Sequence, residues 1–201
     1  MVEKVWRKAC ATVLGAVLAV GLTACGGNPA DQVRSVVTSN FDQVKNLDAG
    51  AIEELGDMDE LKELESTYGL SSDRVIKAFY GRFDYKVDDV AVDGDTATVK
   101  ITSTNVDLQK VMEGYMEDLT AFATSEEAQR LVTEGGQQAV QDKVVELLMG
   151  AFEADDVPTA TGQTELAMER EGDTWTYANE GEVLQVLFGG QDPKNVVNRL
   201  S

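Results

Sequence analysis

FDYKVDDVAVDGDTATVKI, residues 83–101, alternates apolar and polar side chains on either side of a central turn. The apolar positions are Phe83, Tyr85 and Val87 before the turn and Ala97, Val99 and Ile101 after it. Such alternation is typical of a strand with one buried face. Asp93-Gly94-Asp95, between the two runs, is typical of a tight hairpin turn. The stretch therefore predicts a β-hairpin with one apolar face.

A second hairpin is predicted after Pro158, around Glu171-Gly172-Asp173. The alternating positions are Leu166, Met168 and Arg170 before that turn and Trp175 and Tyr177 after it. A two-stranded hairpin alone is only marginally stable in water. We therefore expect the two hairpins to pair into one sheet.

Helical periodicity precedes the first hairpin. Asn28-Pro29 is typical of a helix start, because Asn caps the first turn and Pro fits inside it. Apolar residues then recur at helical spacing as far as Leu47, and again between Ile52 and Leu64. Ser71-Ser72-Asp73 predicts the start of a further short helix before the sheet.

A helical insert, about residues 107–153, separates the two hairpins. Its first helix carries an apolar stripe from Leu108 to Phe122, which we expect to pack inside, with docking of a partner helix as the alternative. Thr124 with Glu127 resembles a capping box for a second helix, which Gly135-Gly136 interrupts. An amphipathic helix ending near Phe152 completes the insert. A last short helix is predicted near residues 183–188.

These elements predict an α+β protein: a four-stranded antiparallel sheet from two hairpins, with helices packed on one face. Strand order is left open. We expect a core made of residues from both hairpins, namely Phe83, Tyr85, Val99, Ile101, Met168, Trp175 and Tyr177.

The first 24 residues have the pattern of an export signal. Lys4, Arg7 and Lys8 precede an apolar run of about a dozen residues, which is short of the ~20 that a spanning helix needs. Small residues follow. The run therefore predicts a signal peptide that is removed from the mature protein.

Leu22-Thr23-Ala24-Cys25, which closes this run, resembles the lipobox of bacterial lipoproteins. The resemblance implies cleavage between Ala24 and Cys25. It also implies a diacylglyceryl group on the Cys25 thiol that holds the protein on the outer, extracytoplasmic face of the cell membrane. Fatty acyl chains such as palmitate would supply the anchor, since two chains bind a bilayer stably and one does not.

The predicted domain organisation follows from these boundaries. Residues 1–24 are the signal peptide, residues 25–30 the lipidated N-terminus and a short linker, residues 31–190 a single α+β domain, and residues 191–201 a polar tail. Cys10 falls within the leader and Cys25 carries lipid, so the mature domain would contain no disulfide.

The chain from about residue 29 to residue 190 resembles uncharacterised Gram-positive lipoproteins with a cystatin-like, or nuclear transport factor 2-like, α+β roll. The residues that carry the resemblance are the lipobox, the Phe83-x-Tyr85-x-Val87 strand, the Asp93-Gly94-Asp95 turn into Ala97-Thr98-Val99, and a closing hairpin with Trp175. The resemblance implies a fold and a location. It supplies no activity and no catalytic residues.

Composition excludes several classes of function. The net charge is −19, so the surface repels nucleic acid. The sequence has no His, which removes Ser–His and Cys–His nucleophiles and most zinc sites. Carboxylate pairs are the simplest catalysts left. No pair stands out among the many acidic residues, and we expect neither an enzyme nor a cofactor.

The sequence contains candidates for two kinds of binding site. Acidic pairs in predicted loops could supply oxygen ligands to a divalent cation, although no EF-hand spacing fits; the pairs are Asp57 and Asp59, Asp88 and Asp89, Asp93 and Asp95, and Asp155 and Asp156. The aromatics Phe83, Tyr85, Trp175 and Tyr177 could line a pocket between sheet and helices, with ordinary core packing as the alternative. We predict no metal site.

The favoured hypothesis is a membrane-anchored module that binds an envelope protein or acts as its accessory. The alternative is a small-ligand or divalent-cation capture protein that uses a pocket between sheet and helices. A filled core with an exposed apolar patch favours the first hypothesis, whereas a cavity of ligand size between the layers favours the second.

Overall fold

A computed structural model describes residues 28–50 and 59–192. In chain order the helices are α1 (Pro29–Lys45), α2 (Asp59–Tyr68), α3 (Ser72–Tyr80), α4 (Leu108–Ala123), α5 (Glu126–Arg130), α6 (Gly136–Glu153) and α7 (Glu180–Leu187), with a π-helical turn at Leu131–Gly135. The strands are β1 (Asp84–Asp93), β2 (Thr96–Val106), β3 (Thr159–Glu171) and β4 (Thr174–Tyr177). The elements from Pro29 to Leu187 span the predicted domain. The leader, the lipobox, residues 51–58 and most of the polar tail lie outside the described residues.

The four strands form one antiparallel sheet in the order β1-β2-β3-β4. Both predicted hairpins are present, and they join through β2 and β3, where Val99 lies opposite Leu166. Gly94 and Gly172 at the two turns have φ angles of 61° and 63°, which glycine adopts at little cost. The α+β class and the four-stranded antiparallel sheet are confirmed, and the strand order that the sequence left open is a simple meander.

The sheet is buried on one face only. Ala97, Val99 and Ile101 of β2 are buried, while the threonines and Lys100 between them face outward and are exposed or half-exposed. Helices α1, α3 and α7 pack on the buried face. The prediction that helices cover one face is therefore confirmed, and the alternation of the sequence is its cause.

The core is made by both hairpins together with residues of helices α1, α2, α3, α4 and α7. Of the seven residues expected there, five are buried: Phe83, Val99, Ile101, Met168 and Trp175. Tyr85 and Tyr177 are half-buried and pack against the same cluster. Helix α1 adds Val33, Val37 and Phe41 to it. All seven expected residues thus belong to one core or its margin.

Helix starts follow capping chemistry. The side chains of Asn28 and Ser71 accept hydrogen bonds from the backbone N–H groups of Ala30 and Arg74, as their sequence positions predicted. The predicted cap at Thr124 is wrong. Ser125 caps α5 by accepting from Ala128 N, because the Thr124 hydroxyl instead donates back to carbonyls in the last turn of α4.

The chain after α7 lies directly on the buried face of β3. Gly189 and Gly190 have φ angles of 65° and 79°, and a Cβ on Gly189 would lie 2.7 Å from the backbone nitrogen of Asn105. Asn105, fully buried on β2, donates a hydrogen bond from Nδ2 to the Leu187 carbonyl at 2.8 Å. This bond satisfies a carbonyl at the end of α7 and holds the helix on the sheet.

Candidate functional site

The four aromatics predicted as a pocket lie in a packed layer between α1 and the sheet. Phe41 of α1 enters this layer, with ring centroids 6.1 Å from Phe83, 5.5 Å from Tyr85 and 6.3 Å from Tyr177. Phe83 and Tyr85 stack at 6.0 Å. Trp175 is buried in the same core, with the Arg170 guanidinium 5.8 Å from its ring. Core packing accounts for the position of all four.

The two tyrosines of this layer have polar partners at its edge. The Tyr85 hydroxyl donates to Asp42 at 2.7 Å, and burial together with that carboxylate raises the pKa of Tyr85. Asn40 Nδ2 donates to the Tyr177 hydroxyl at 3.2 Å. Burial raises the pKa of Tyr177 to about 12. Both phenols are therefore protonated at neutral pH and act as structural contacts between α1 and the sheet.

The helical insert, residues 107–153, stands beside the sheet and its covering helices. It meets the rest of the domain mainly through α6, which contacts α2 and α3. At its base Val111 packs with Val106 and Val157 in a small cluster separate from the main core. The insert is thus a helical layer that contacts the rest of the domain at its base and through α6.

Helix α4 divides its apolar stripe between two faces. Leu108, Val111, Tyr115 and Phe122 are buried, as expected for a stripe that packs inside. Met112, Met116 and Leu119 share a neighbouring face, because residues four and three apart lie one above the other on a helix. Met112 and Leu119 are half-buried, and Met116 is 53% exposed. The stripe is therefore wider than the contact that α4 makes within the described residues.

Helix α6 is apolar on more than one side, yet Met149 is its only fully buried residue. Six large apolar side chains are half-buried: Val140, Val144, Val145, Leu147, Leu148 and Phe152. Between α5 and α6, Val132 in the π-helical turn is 64% exposed. The insert therefore presents apolar surface on both of its long helices and on the turn between them.

The insert is strongly acidic around this apolar surface. Ten carboxylates face three cations in residues 107–153. Two of those cations are already paired within the insert, Lys110 with Asp107 at 3.4 Å and Lys143 with Glu146 at 3.3 Å. Glu113, one turn before Met116 on α4, and Glu134, two residues after Val132, are both exposed, so negative charge lies near each exposed apolar side chain.

A cleft opens between α3 and α6, and none of the four aromatics predicted as a pocket lines it. Its volume is about 370 Å³, and its lining is Asp73, Arg74, Lys77, Ala78, Gly81, Arg82, Phe152 and Glu153. Arg74 donates to both carboxylate oxygens of Glu153 at 2.6 and 2.7 Å, which raises the pKa of Arg74 and lowers that of Glu153. Sequence reasoning missed this cleft. Its available signal was three cations within nine residues of an acidic chain.

In two of the acidic pairs predicted as candidate cation ligands, one carboxylate has another partner. Asp88 accepts hydrogen bonds from Lys86 at 2.8 Å and from Thr102 at 2.5 Å. Asp95 pairs with the guanidinium of Arg170 from the second hairpin. Within residues 28–50 and 59–192, no three His, Cys, Asp or Glu side chains are close enough together to hold a metal ion.

Ala24 and Cys25, the predicted cleavage and lipidation residues, lie outside the described residues. Within the described part, no helix combines the length and the hydropathy that a membrane span requires. No protein-family model matches the chain. No curated protein and no solved structure shows significant similarity to it. The resemblance to cystatin-like lipoproteins therefore stays a prediction.

Proposed function

We propose that the protein is a lipoprotein anchored through Cys25 on the outer face of the cell membrane, where its helical insert binds another envelope protein without catalysis. The observation that carries the docking proposal is the exposure of Met116 and Val132, at 53% and 64%, on one helical insert. Large apolar side chains usually lie inside a small domain, and an apolar surface with a polar border is typical of protein contact sites.

The second support is the incomplete burial of α6. This 18-residue helix has one fully buried side chain, so much of its apolar surface is only partly covered. Its half-buried apolar side chains before the cleft would lose further contact with water under a partner; they are Val140, Val144, Val145, Leu147 and Leu148. At roughly 25 cal/mol for each Å² of apolar surface, this burial favours association.

The charge of the insert indicates the chemistry of the partner. Its carboxylates would attract a cationic surface and repel an acidic one. The partner that fits both properties is an amphipathic helix or surface with apolar side chains bordered by Lys and Arg. Anionic lipid and nucleic acid are disfavoured by the same charge.

The anchor is tested by labelling. The full chain is expressed with its leader in a Gram-positive host supplied with labelled palmitate. The wild type and Cys10→Ala should incorporate label, whereas Cys25→Ala should not, because only the lipobox thiol receives the diacylglyceryl group. Equal labelling of Cys25→Ala and the wild type would refute the anchor and leave the docking proposal to its own test.

Docking is tested by crosslinking in the same membranes. Met116→Glu and Val132→Glu place charge on the proposed surface, and Thr98→Glu places the same charge on the outer face of the sheet, where Thr98 is exposed. A protein captured by the wild type and by Thr98→Glu but lost with both insert variants supports docking. If all three variants capture the same proteins, the insert is not the docking surface.

Salt dependence tests the charge of the partner. Raising the salt from about 0.1 M to about 1 M shortens the Debye length from about 10 Å to about 3 Å. Capture through the acidic insert should weaken over this range. Capture that strengthens steadily with salt would indicate a purely apolar contact and contradict the cationic partner.

Small-ligand capture is the second candidate function. The cleft between α3 and α6 favours it, since its volume of about 370 Å³ lies within the range of ligand pockets. This site differs from the predicted aromatic pocket.

A further inference from the structure

We propose that the cleft between α3 and α6 binds a small organic anion that has one carboxylate or phosphate group and an apolar part. This binding does not involve Met116 or Val132 of the docking proposal. Its cationic residues lie on α3 and just after it, and Phe152 and Glu153 are the residues that the insert contributes. The charges, the free donors and the apolar wall of the cleft support it in turn.

Helical spacing brings the cleft residues together. Arg74, Lys77, Ala78 and Gly81 recur at intervals of three and four and so share one face of α3 and its C-terminal end. Arg82 follows directly. Phe152 and Glu153 face them from the last turn of α6. Two helices therefore build the cleft, and its cations come from one short segment.

The lining of the cleft has more cations than carboxylates, in a protein that is acidic as a whole. Its lining has three cations, Arg74, Lys77 and Arg82, against two carboxylates, Asp73 and Glu153. The net charge of the whole chain is −19. At physiological salt the Debye length is about 8 Å, so the carboxylates far from the cleft are largely screened.

The three cations differ in how fully their hydrogen-bond donors are already paired. Arg74 is held by both oxygens of Glu153, and Lys77 pairs with Asp73 at 2.9 Å. Arg82 uses one nitrogen, Nη2, to donate to the carbonyls of Ala154 and Asp155 at 3.3 and 3.2 Å. These carbonyls lie at the C-terminal end of α6, where a cation is favoured.

Arg82 therefore has N–H groups that a ligand could use. A guanidinium has five N–H groups. Among the described residues, the N–H groups on Nε and Nη1 of Arg82 have no hydrogen-bond partner. Among the same residues, no carboxylate lies within ion-pair distance of Arg82. A carboxylate or phosphate could accept from this unused edge. The ion pair of Lys77 with Asp73 is exposed to solvent and therefore weak, so the Lys77 ammonium could turn towards the same anion.

Phe152 supplies the apolar part of the site. Its side chain is half-buried and lines the cleft beside the cations. A ring or short alkyl group on the ligand would cover it and remove apolar surface from water. An anion that has such a group should therefore bind more tightly than inorganic phosphate.

The test is a titration of the full chain in detergent, followed by NMR or calorimetry. The probes are phenyl phosphate and benzoate, with inorganic phosphate and benzyl alcohol for comparison. Saturable binding of an aromatic anion, tighter than either comparison probe, is the expected result. The tighter of the two aromatic anions then identifies phosphate or carboxylate as the preferred group.

Lys77→Gln and Arg82→Gln should each weaken that binding at least fivefold, because each removes one cation from the cleft. Lys100→Gln, a cation on the outer face of the sheet, is the matched control and should leave binding unchanged. Thermal unfolding of each variant checks that the loss of the Arg82 contacts to α6 has not unfolded the insert. Absence of saturable binding, or equal weakening in Lys100→Gln, would overturn the proposal.

Discussion

Gly162 and Gly190 are in backbone contact on the buried face of the sheet: a Cβ atom on Gly162 would lie 2.9 Å from the Cα of Gly190. Gly190 also has a φ of 79°, which side-chain-bearing residues rarely adopt. The two glycines let the chain that leaves α7 lie flat on β3, so that the helix C-terminus is fixed to the sheet.

Gly162→Ala should destabilise the fold by about 1–3 kcal/mol, because an added methyl group forces two backbone segments apart. Gly114→Ala is the matched control. Gly114 is an exposed position inside α4 where a Cβ meets nothing within 4 Å, so alanine should stabilise the helix by about 0.5–1 kcal/mol. Urea unfolding measures both changes. Equal stability of Gly162→Ala and the wild type would contradict the contact.

Asn105→Ala should cost about 1–3 kcal/mol, because it leaves the buried Leu187 carbonyl without its 2.8 Å hydrogen bond. Thr164→Val is the comparison. The Thr164 hydroxyl is buried and has no hydrogen-bond partner among the described residues, so an apolar group of the same shape should leave the free energy of unfolding unchanged or raise it. A large loss from Thr164→Val would indicate that the hydroxyl has a partner.

Asp88 should titrate well below an ordinary aspartate. Hydrogen bonds from Lys86, Thr102 and Gln163 lower its pKa to about 2. A carboxyl whose pKa is lower in the folded state stabilises the fold above its unfolded pKa of about 3.9, and this contribution is lost as pH falls towards 2. Carboxyl NMR titration measures the value. Thr102→Val should raise it, and an unchanged value in that variant would contradict the role of the hydroxyl.

Tyr85 and Tyr177 should make the fold sensitive to alkali. Burial raises the pKa of both phenols, that of Tyr177 to about 12. Since their unfolded pKa is about 10, the contribution is complete below pH 10 and is lost as pH rises through the folded values. Ultraviolet titration of tyrosinate follows the effect. Asp42→Asn should lower the pKa of Tyr85, because it removes the carboxylate beside the hydroxyl; no change would exclude that contact.

The elements that the sequence predicted well are those with local causes. Both hairpins follow from period-two alternation and from the turn glycines, Gly94 and Gly172, which need no distant partner. The cap at Ser125 was misplaced by one residue, because Thr124 and Ser125 both carry hydroxyls and only the path of the backbone decides which one caps α5. Such a choice is not visible in residue type alone.

The candidate sites depend on contacts between distant parts of the chain, and the sequence predicted them less well. The aromatics expected to line a pocket are packed against Phe41, which α1 brings to Phe83 and Tyr85 from more than forty residues away. The cleft depends on the pairing of Arg74 with Glu153, which are 79 residues apart. The sequence around Arg74 does not indicate Glu153 as its partner, and the sequence around Glu153 does not indicate Arg74.

The sequence by itself determined the α+β class, the two hairpins, the buried face of each strand and the acidic character of the protein, because alternation, turn chemistry and charge are properties of neighbouring residues. The tertiary structure alone decided the meander order, the filling of the aromatic layer, the exposed apolar surface of the insert and the cleft between α3 and α6. Those features depend on whether segments distant in sequence cover each other's side chains. The spacing of residues along the chain does not show which distant segments meet in space.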